Sequence, residues 1–270
     1  MNSDLFLNFL IAHKLEASPI VAHFKMELVE KYPYKIYQNK KGMRLIISGI
    51  GYNNAVRAVT YLAETDKPKG RARAGWINAG IAGHKTAAIG SLFFINKIVY
   101  KRTGEAYFPA LNLVNGTSAG LITVDEPELY YPKDSVYDME GAGFFKASMK
   151  FSSVEFIHCI KVISDNRAHS IQKITRNLIS DLMTKSCPQI EVFCEALMSQ
   201  ILEFDQIASY GEIDLGLINE LHFTATQRVQ LQRYCQRYCA LDRKDEFKSM
   251  SSLKWRSSKD LLNELDKNLE

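Results

Sequence analysis

The sequence predicts an α/β domain on a largely parallel or mixed sheet, followed by a helical extension. Over the first 165 residues, short apolar runs alternate with segments of helical period, the pattern of strands joined by crossover helices. After about residue 186 only helical patterns follow. The composition, 46% hydrophobic and 24% charged in 270 residues with 15 Gly and 7 Pro, is that of a globular chain; it excludes wholesale disorder and a fibrous repeat.

Leu5 to Ala12 is a mostly apolar run that reads as a buried strand. Ala17 to Lys31 is helix-like and stops before Tyr32-Pro33. Tyr34 to Tyr37 and Met43 to Ile50 are short strands, separated by the hairpin signal Asn39-Lys40-Lys41-Gly42. Asn53 to Ala63 carries Ala55, Val56, Val59 and Leu62 on one helical side. Ala74 to Ala79 and Ser91 to Tyr100 are strands, and Gly104 to Gly116 is a loop with some extended structure. Leu121 to Val124 and Val136 to Met139 are short strands, Glu140 to Met149 a helix, Val154 to Ile163 a strand, and Ile171 to Thr184 a helix.

Ile190 to Ile207 continues as helix, and Tyr210-Gly211-Glu212 breaks it. This divides the chain into a domain of residues 1–207 and an extension of residues 208–270. In the extension, Thr224-Ala225-Thr226-Gln227 is a capping box ahead of Val229, Leu231, Tyr234, Tyr238 and Leu241. Ser258 caps a last helix carrying Leu261, Leu262 and Leu265. The extension is locally basic, with Arg228, Arg233, Arg237, Arg243, Lys244, Lys248, Lys254 and Arg256; these read as a solvated face, and nucleic acid is not expected as a partner.

A net charge of +4 is too small for a protein that coats phosphate. No apolar stretch approaches the roughly 18 residues a membrane span needs. Met1-Asn2-Ser3-Asp4 lacks a basic leader, and a cytoplasmic location is expected. The scattered cysteines Cys159, Cys187, Cys194, Cys235 and Cys239 argue against a disulfide framework. Cys235 and Cys239, with His222 upstream, fall short of a metal motif.

Chemistry is expected at the ends of strands. The relevant segments are Ala12-His13-Lys14-Leu15-Glu16-Ala17, Ser48-Gly49-Ile50-Gly51, Asn78-Ala79-Gly80-Ile81-Ala82-Gly83, Asp138-Met139-Glu140-Gly141-Ala142-Gly143 and Val162-Ile163-Ser164-Asp165-Asn166. The Gly-Ile-Gly is no dinucleotide fingerprint, because the third glycine is missing. In order and spacing, however, residues 5 to 185 resemble the nucleoside phosphorylase and nucleosidase superfamily. The likeness is nearest to the branch of methylthioadenosine/S-adenosylhomocysteine nucleosidase, and Asp-Met-Glu-Gly-Ala and Ile-Ser-Asp-Asn are its most specific segments. The extension lies outside it.

The resemblance implies a three-layer α/β/α sandwich around a mixed sheet, and cleavage of the N-glycosidic bond of a purine nucleoside. That reaction places positive charge on the ribose and negative charge on the leaving base, so it calls for an acid at the base and a carboxylate at the sugar. Asp165 matches the family's acid at purine N7, a role that needs a held or shared proton; Ser164 precedes it. Glu140 matches the acceptor of the ribose hydroxyls, expected ionised at its helix N-terminus, with Met139 against the sugar. Glu16 matches the glutamate that orients the attacking water. Gly49 and Gly51 let the backbone turn near the nucleophile or sugar side, Gly80 and Ile81 are matched substrate-binding positions, and Tyr130 is the candidate for the base-stacking aromatic.

The sequence departs from the family where phosphate binds. Asn78 and Ile81 stand where phosphorylases carry Arg and Ser, and His13 and Lys14 replace a Gly and Arg pair. This favours water as the nucleophile, with phosphorolysis as the alternative through Lys14, His13 or Arg44. The nucleosidases also carry a serine where Ile81 stands, which keeps a non-catalytic nucleoside-binding module as a rival. The resemblance further implies no metal or organic cofactor, and a homodimer or other homo-oligomer.

Overall fold

The computed structural model describes residues 6–65, 74–111, 113, 116–209 and 221–269. These divide into two compact units, Met1–Ile201 and Leu202–Glu270.

In the first unit, strand β1 (Phe6–Ile11) leads into helix α1 (Lys14–His23), β2 (Glu27–Glu30), β3 (Ile36–Gln38), β4 (Met43–Ile47) and α2 (Tyr52–Thr65). Then come β5 (Ala74–His84), β6 (Leu92–Tyr100), β7 (Ala106–Tyr107), β8 (Ser118–Thr123), β9 (Val136–Asp138), α3 (Gly141–Ser148), β10 (Ile157–Asn166) and α4 (Arg176–Ser209), whose residues from Leu202 onward belong to the second unit. The strands form one mixed sheet in the order β10-β6-β8-β9-β5-β1-β4-β3-β2, with β7 on β6. β10 also pairs with β5 in parallel, so β5, β10, β6, β8 and β9 close into a ring.

Alternation along the strands builds the layers. Leu7, Phe9 and Ile11 of β1 join a core with Ile77, Ile160 and Val162, sealed by Ala17 and Ile20 of α1 and Met183, Ile190 and Leu197 of α4. Leu10, Ile46, Trp76 and Ile163 join a second core with Ala55, Val59 and Leu62 of α2 and Phe144 and Phe145 of α3. Helices therefore cover both faces of the sheet, giving the expected three layers. Strands β4, β1, β5 and β10 are mutually parallel, so their carboxyl ends share one edge.

Several elements differ from the sequence reading. The helix expected over Ala17 to Lys31 starts at Lys14 and ends at His23. Lys25, at φ 51°, turns the chain, and Glu27–Glu30 becomes an edge strand paired only to β3. Its Leu28 and Val29 are exposed, so no burial period marks it. β5 runs on through Asn78 to His84, because these residues bond to β10 on one side and β9 on the other. β10 likewise extends through Ser164-Asp165-Asn166, with a bulge between Ile163 and Asp165. The helices expected at Ile171 to Thr184 and Ile190 to Ile207 are a single α4 with Pro188 inside it. A continuous buried face of Leu182, Met183, Cys187, Ile190, Cys194 and Leu197 holds it together against the kinking tendency of proline.

In the second unit, α5 (Ala225–Ala240), α6 (Lys244–Ser251) and α7 (Ser258–Lys267) surround Leu231, Tyr234, Tyr238, Phe247, Leu261 and Leu265. The Thr224–Gln227 capping box is formed on both sides. The cap of α7 is Ser257, whose hydroxyl accepts from the Asp260 N–H. Ser258 is instead buried and donates to Gln227. Cys235 and Cys239 belong to this core, and burial pushes both thiols up. The Tyr210-Gly211-Glu212 break lies outside the described residues. Among the described residues no helix is long and apolar enough to cross a membrane.

Candidate active site

The carboxyl-end edge of the sheet opens into a cavity of about 380 Å³. Its lining includes Ala12, His13 and Glu16 after β1, Ile50 after β4, Ile81 to Gly83 of β5, Asp138 to Glu140 after β9, and Ser164 and Asp165 of β10. Leu15, Val124, Ile171, Ile174 and Ile179 add apolar wall, so the site is mostly apolar with a few converging acids, the usual make-up of a small-molecule pocket.

Glu16 sits in the first turn of α1, in a capping box with His13. Its Oε2 accepts from the His13 N–H at 2.9 Å, and its Oε1 accepts from the Ile81 N–H at 2.9 Å. Ile81 thus serves the site through its backbone, where a side-chain hydroxyl was sought. Gly80 is required beside it: a Cβ there would stand 2.7 Å from Glu16 Oε1. Burial raises the Glu16 carboxyl above the usual range, against the lowering by the Ile81 N–H and by Lys161.

Glu140 is held from another strand end. Its Oε1 accepts from the Gly51 N–H at 2.7 Å. Gly49 and Gly51 both have positive φ, 80° and 105°, which shapes the turn that aims this N–H. The expected ionised state is not what the surroundings favour. Glu140 makes no capping bond to α3, and burial, then the neighbouring Asp138, push its carboxyl up to about 7. The helix terminus is outweighed by desolvation.

Asp165 is buried at the bulge of β10. Its Oδ1 accepts from the Ser164 hydroxyl and its Oδ2 from the Tyr131 hydroxyl. Tyr131 was not anticipated. The neighbouring Tyr130, chosen as the stacking aromatic, is 77% exposed and outside the lining, whereas Tyr131 is 2% exposed and lines the cavity. Nothing in the run of two tyrosines distinguishes them. Of the other expected residues, Met139, Ile81 and Ser164 line the cavity, while Gly49, Gly51 and Gly80 are not part of the lining.

Lys161 is the other residue that sequence reasoning passed over. It is 1% exposed in β10. Its ammonium donates to Asp138 Oδ2 at 2.8 Å and to Asn78 Oδ1 at 2.7 Å. Asn78 in turn donates to the Leu10 carbonyl, and Asp138 accepts from Thr123 and from the Gly141 N–H. Burial works against the Lys161 charge, but Asp138, Cys159 and Glu140 outweigh it and hold the ammonium at about 12. A lysine inside the apolar run Ile157 to Ile163 was the available signal, since a charge is buried only when paired.

Asn78 and Lys161 thus satisfy each other, and Arg44 is buried with its Nε on Asn8. Among the described residues the lining contains Glu16, Glu128, Asp138, Glu140 and Asp165 but no Lys or Arg. Among the described residues no group of three or more His, Cys, Asp or Glu side chains is placed to hold a metal ion.

The first unit has the fold seen in solved nucleosidase structures. Among similar solved structures is the 5′-methylthioadenosine/S-adenosylhomocysteine nucleosidase of S. pneumoniae with a transition-state inhibitor, at 18% identity and TM-score 0.56 over 71% of this chain and 99% of that one. The 5′-methylthioadenosine nucleosidase of Arabidopsis thaliana aligns at 18% identity and TM-score 0.57, over 72% and 95% of the two chains. The futalosine hydrolase of Helicobacter pylori aligns at 14% identity and TM-score 0.58, over 73% and 98%. No family model and no curated protein matches the sequence.

Proposed function

We propose that this protein hydrolyses the N-glycosidic bond of a purine nucleoside. The observation that carries the reading is the cavity itself, in which Glu16, Glu140 and Asp165 converge from different strand ends with no Lys or Arg among the described lining residues. Asp165, with the hydroxyls of Ser164 and Tyr131, handles the proton of the leaving base. Glu140 accepts from the ribose hydroxyls as positive charge grows on the sugar. Glu16, fixed by two backbone N–H groups, orients the water. Enzymes acting on such nucleosides are the structural neighbours.

Water is favoured over phosphate on electrostatic grounds. A phosphate dianion needs several donors, best an arginine fork, and here it meets acids. The expected result is that inorganic phosphate leaves the rate unchanged and the products are free base and free ribose. Stoichiometric ribose 1-phosphate in phosphate buffer would establish phosphorolysis instead.

Glu140 gives two expectations. Only its ionised form is a full acceptor, so kcat/KM rises with pH through about 7 and levels off above. Glu140→Gln loses charge-assisted bonds worth roughly 1.5–3 kcal/mol, or about 10- to 150-fold in kcat/KM for ribonucleosides, with little loss for 2′,3′-dideoxynucleosides. Equal losses would remove Glu140 from the sugar. Because the folded carboxyl lies above its ordinary value, the folded state binds the extra proton between about 4.5 and about 7. Its contribution to stability is present below that window and lost as pH rises through it, with a slope of at most about 1.4 kcal/mol per pH unit. Urea titrations of Glu140→Gln show a correspondingly flatter fall over the same range.

A further inference from the structure

Tyr131 is fixed more firmly than an incidental loop residue needs to be. Its backbone has φ 44°, a left-handed conformation that a bulky residue adopts only when its surroundings over-determine it. Arg167 fastens that turn, Nε donating to the Tyr130 carbonyl at 2.8 Å and Nη2 to the Tyr131 carbonyl at 3.1 Å. The ring packs edge-on against Tyr137 at 5.6 Å. It also occupies the space that a side chain at position 83 would need, since a Cβ on Gly83 would stand 2.5 Å from Tyr131 Cε1. The hydroxyl is bound to Asp165. The Arg167 bonds to the backbone, the Tyr137 ring and the Asp165 carboxylate together hold the phenol inside the cavity, against the carboxylate proposed to bind the base.

We propose that Tyr131 determines which bases the site accepts, its ring walling the purine edge that faces Asp165 and limiting the group carried at position 6. The inference rests on the purine-nucleoside reading. N7 and the 6-substituent of a purine lie on the same edge, so a base that meets Asp165 through N7 brings its 6-substituent towards the phenol. A 6-amino group fits beside it and can donate to Asp165, whereas an aryl-bearing amine collides with the ring. The ring sets size, and the hydroxyl orients Asp165.

The two parts are separable by substitution. Tyr131→Gly removes the ring and suits the left-handed backbone; Tyr131→Ala removes it with the backbone cost retained; Tyr131→Phe removes only the hydroxyl. Calorimetric binding of adenine and N6-benzyladenine to the full chain reads the wall without requiring turnover. The wild type is expected to prefer adenine by more than about tenfold, and both Tyr131→Gly and Tyr131→Ala to shift that ratio towards N6-benzyladenine by about tenfold or more. Tyr131→Phe keeps the wild-type ratio while its kcat falls more than its KM changes. An unchanged ratio in Tyr131→Gly and Tyr131→Ala, or a wild type that already binds both bases equally, overturns the inference. A wild type that binds neither base overturns the purine reading itself.

Discussion

With the proposed activity, Asp165→Asn is expected to lower kcat for purine nucleoside hydrolysis by about 10²–10⁴, the usual worth of a positioned general acid, and to leave the fold intact. The leaving base must gain a proton or a strong hydrogen bond as the glycosidic bond breaks. Asp165 sits with the hydroxyls of Ser164 and Tyr131, each able to relay or lend a proton. An amide at 165 keeps the shape and still offers an oxygen to one hydroxyl, while its NH₂ faces the other, which can turn to accept. The buried polar groups therefore stay satisfied, but the carboxyl group that serves the leaving base is gone. Steady-state kinetics with circular dichroism of the variant check both halves. A variant that turns over at nearly the wild-type rate removes Asp165 from the chemistry.

The large-scale architecture was legible because period carries it. In β1 the inward Leu7, Phe9 and Ile11 and the opposite Leu10 serve two cores, and the helical stripe of α2 reads directly as Ala55, Val59 and Leu62. What failed to read was wherever a local signal was overruled by neighbours. Asn78 to Gly83 looks like a glycine-rich turn, yet three strands pair with β5 along its length, and Gly83 is there to admit Tyr131. Glu27–Glu30 looks like the end of a helix because an edge strand with exposed Leu28 and Val29 has no buried side to alternate against.

The site was legible to a similar depth. The acids at residues 16, 140 and 165 do reach one cavity: Glu16 and Asp165 because β1 and β10 run parallel to β5, and Glu140 because the antiparallel β9 pairs with the end of β5 at Gly83 and His84. Their electrostatics did not follow from position. Glu140 begins a helix, which alone favours the anion, but burial beside Asp138 reverses the balance. Asn78 and Lys161 are 83 residues apart, and only the pairing of β5 with β10 brings the amide and the ammonium together. Their mutual satisfaction takes from Asn78 the phosphate-facing role its position suggests.

Lys161→Met is expected to destabilise the protein by about 3–5 kcal/mol, the cost of breaking a buried ion pair from one side. The wild-type pair is nearly inaccessible on both partners, at 2% and 1% side-chain exposure. Removing the ammonium leaves the buried Asp138 carboxylate with the Thr123 hydroxyl and the Gly141 N–H but without a counter-charge, beside Glu140. Glu16 and Glu140 both lose a cation that now lowers them, so the acid limb of kcat/KM moves to higher pH. The charge argument makes a further demand. In the double variant Lys161→Met with Asp138→Asn, no charge is left unpaired, and Asn can still accept from the Gly141 N–H. Much of the lost stability returns, because a buried pair replaced by neutral groups is often nearly neutral in cost. Urea denaturation of wild type, both single variants and the double variant at pH 7 gives the coupling between the two sites. If the double variant is as unstable as Lys161→Met alone, the lysine is needed for its packing, and the electrostatic account of this part of the site is wrong.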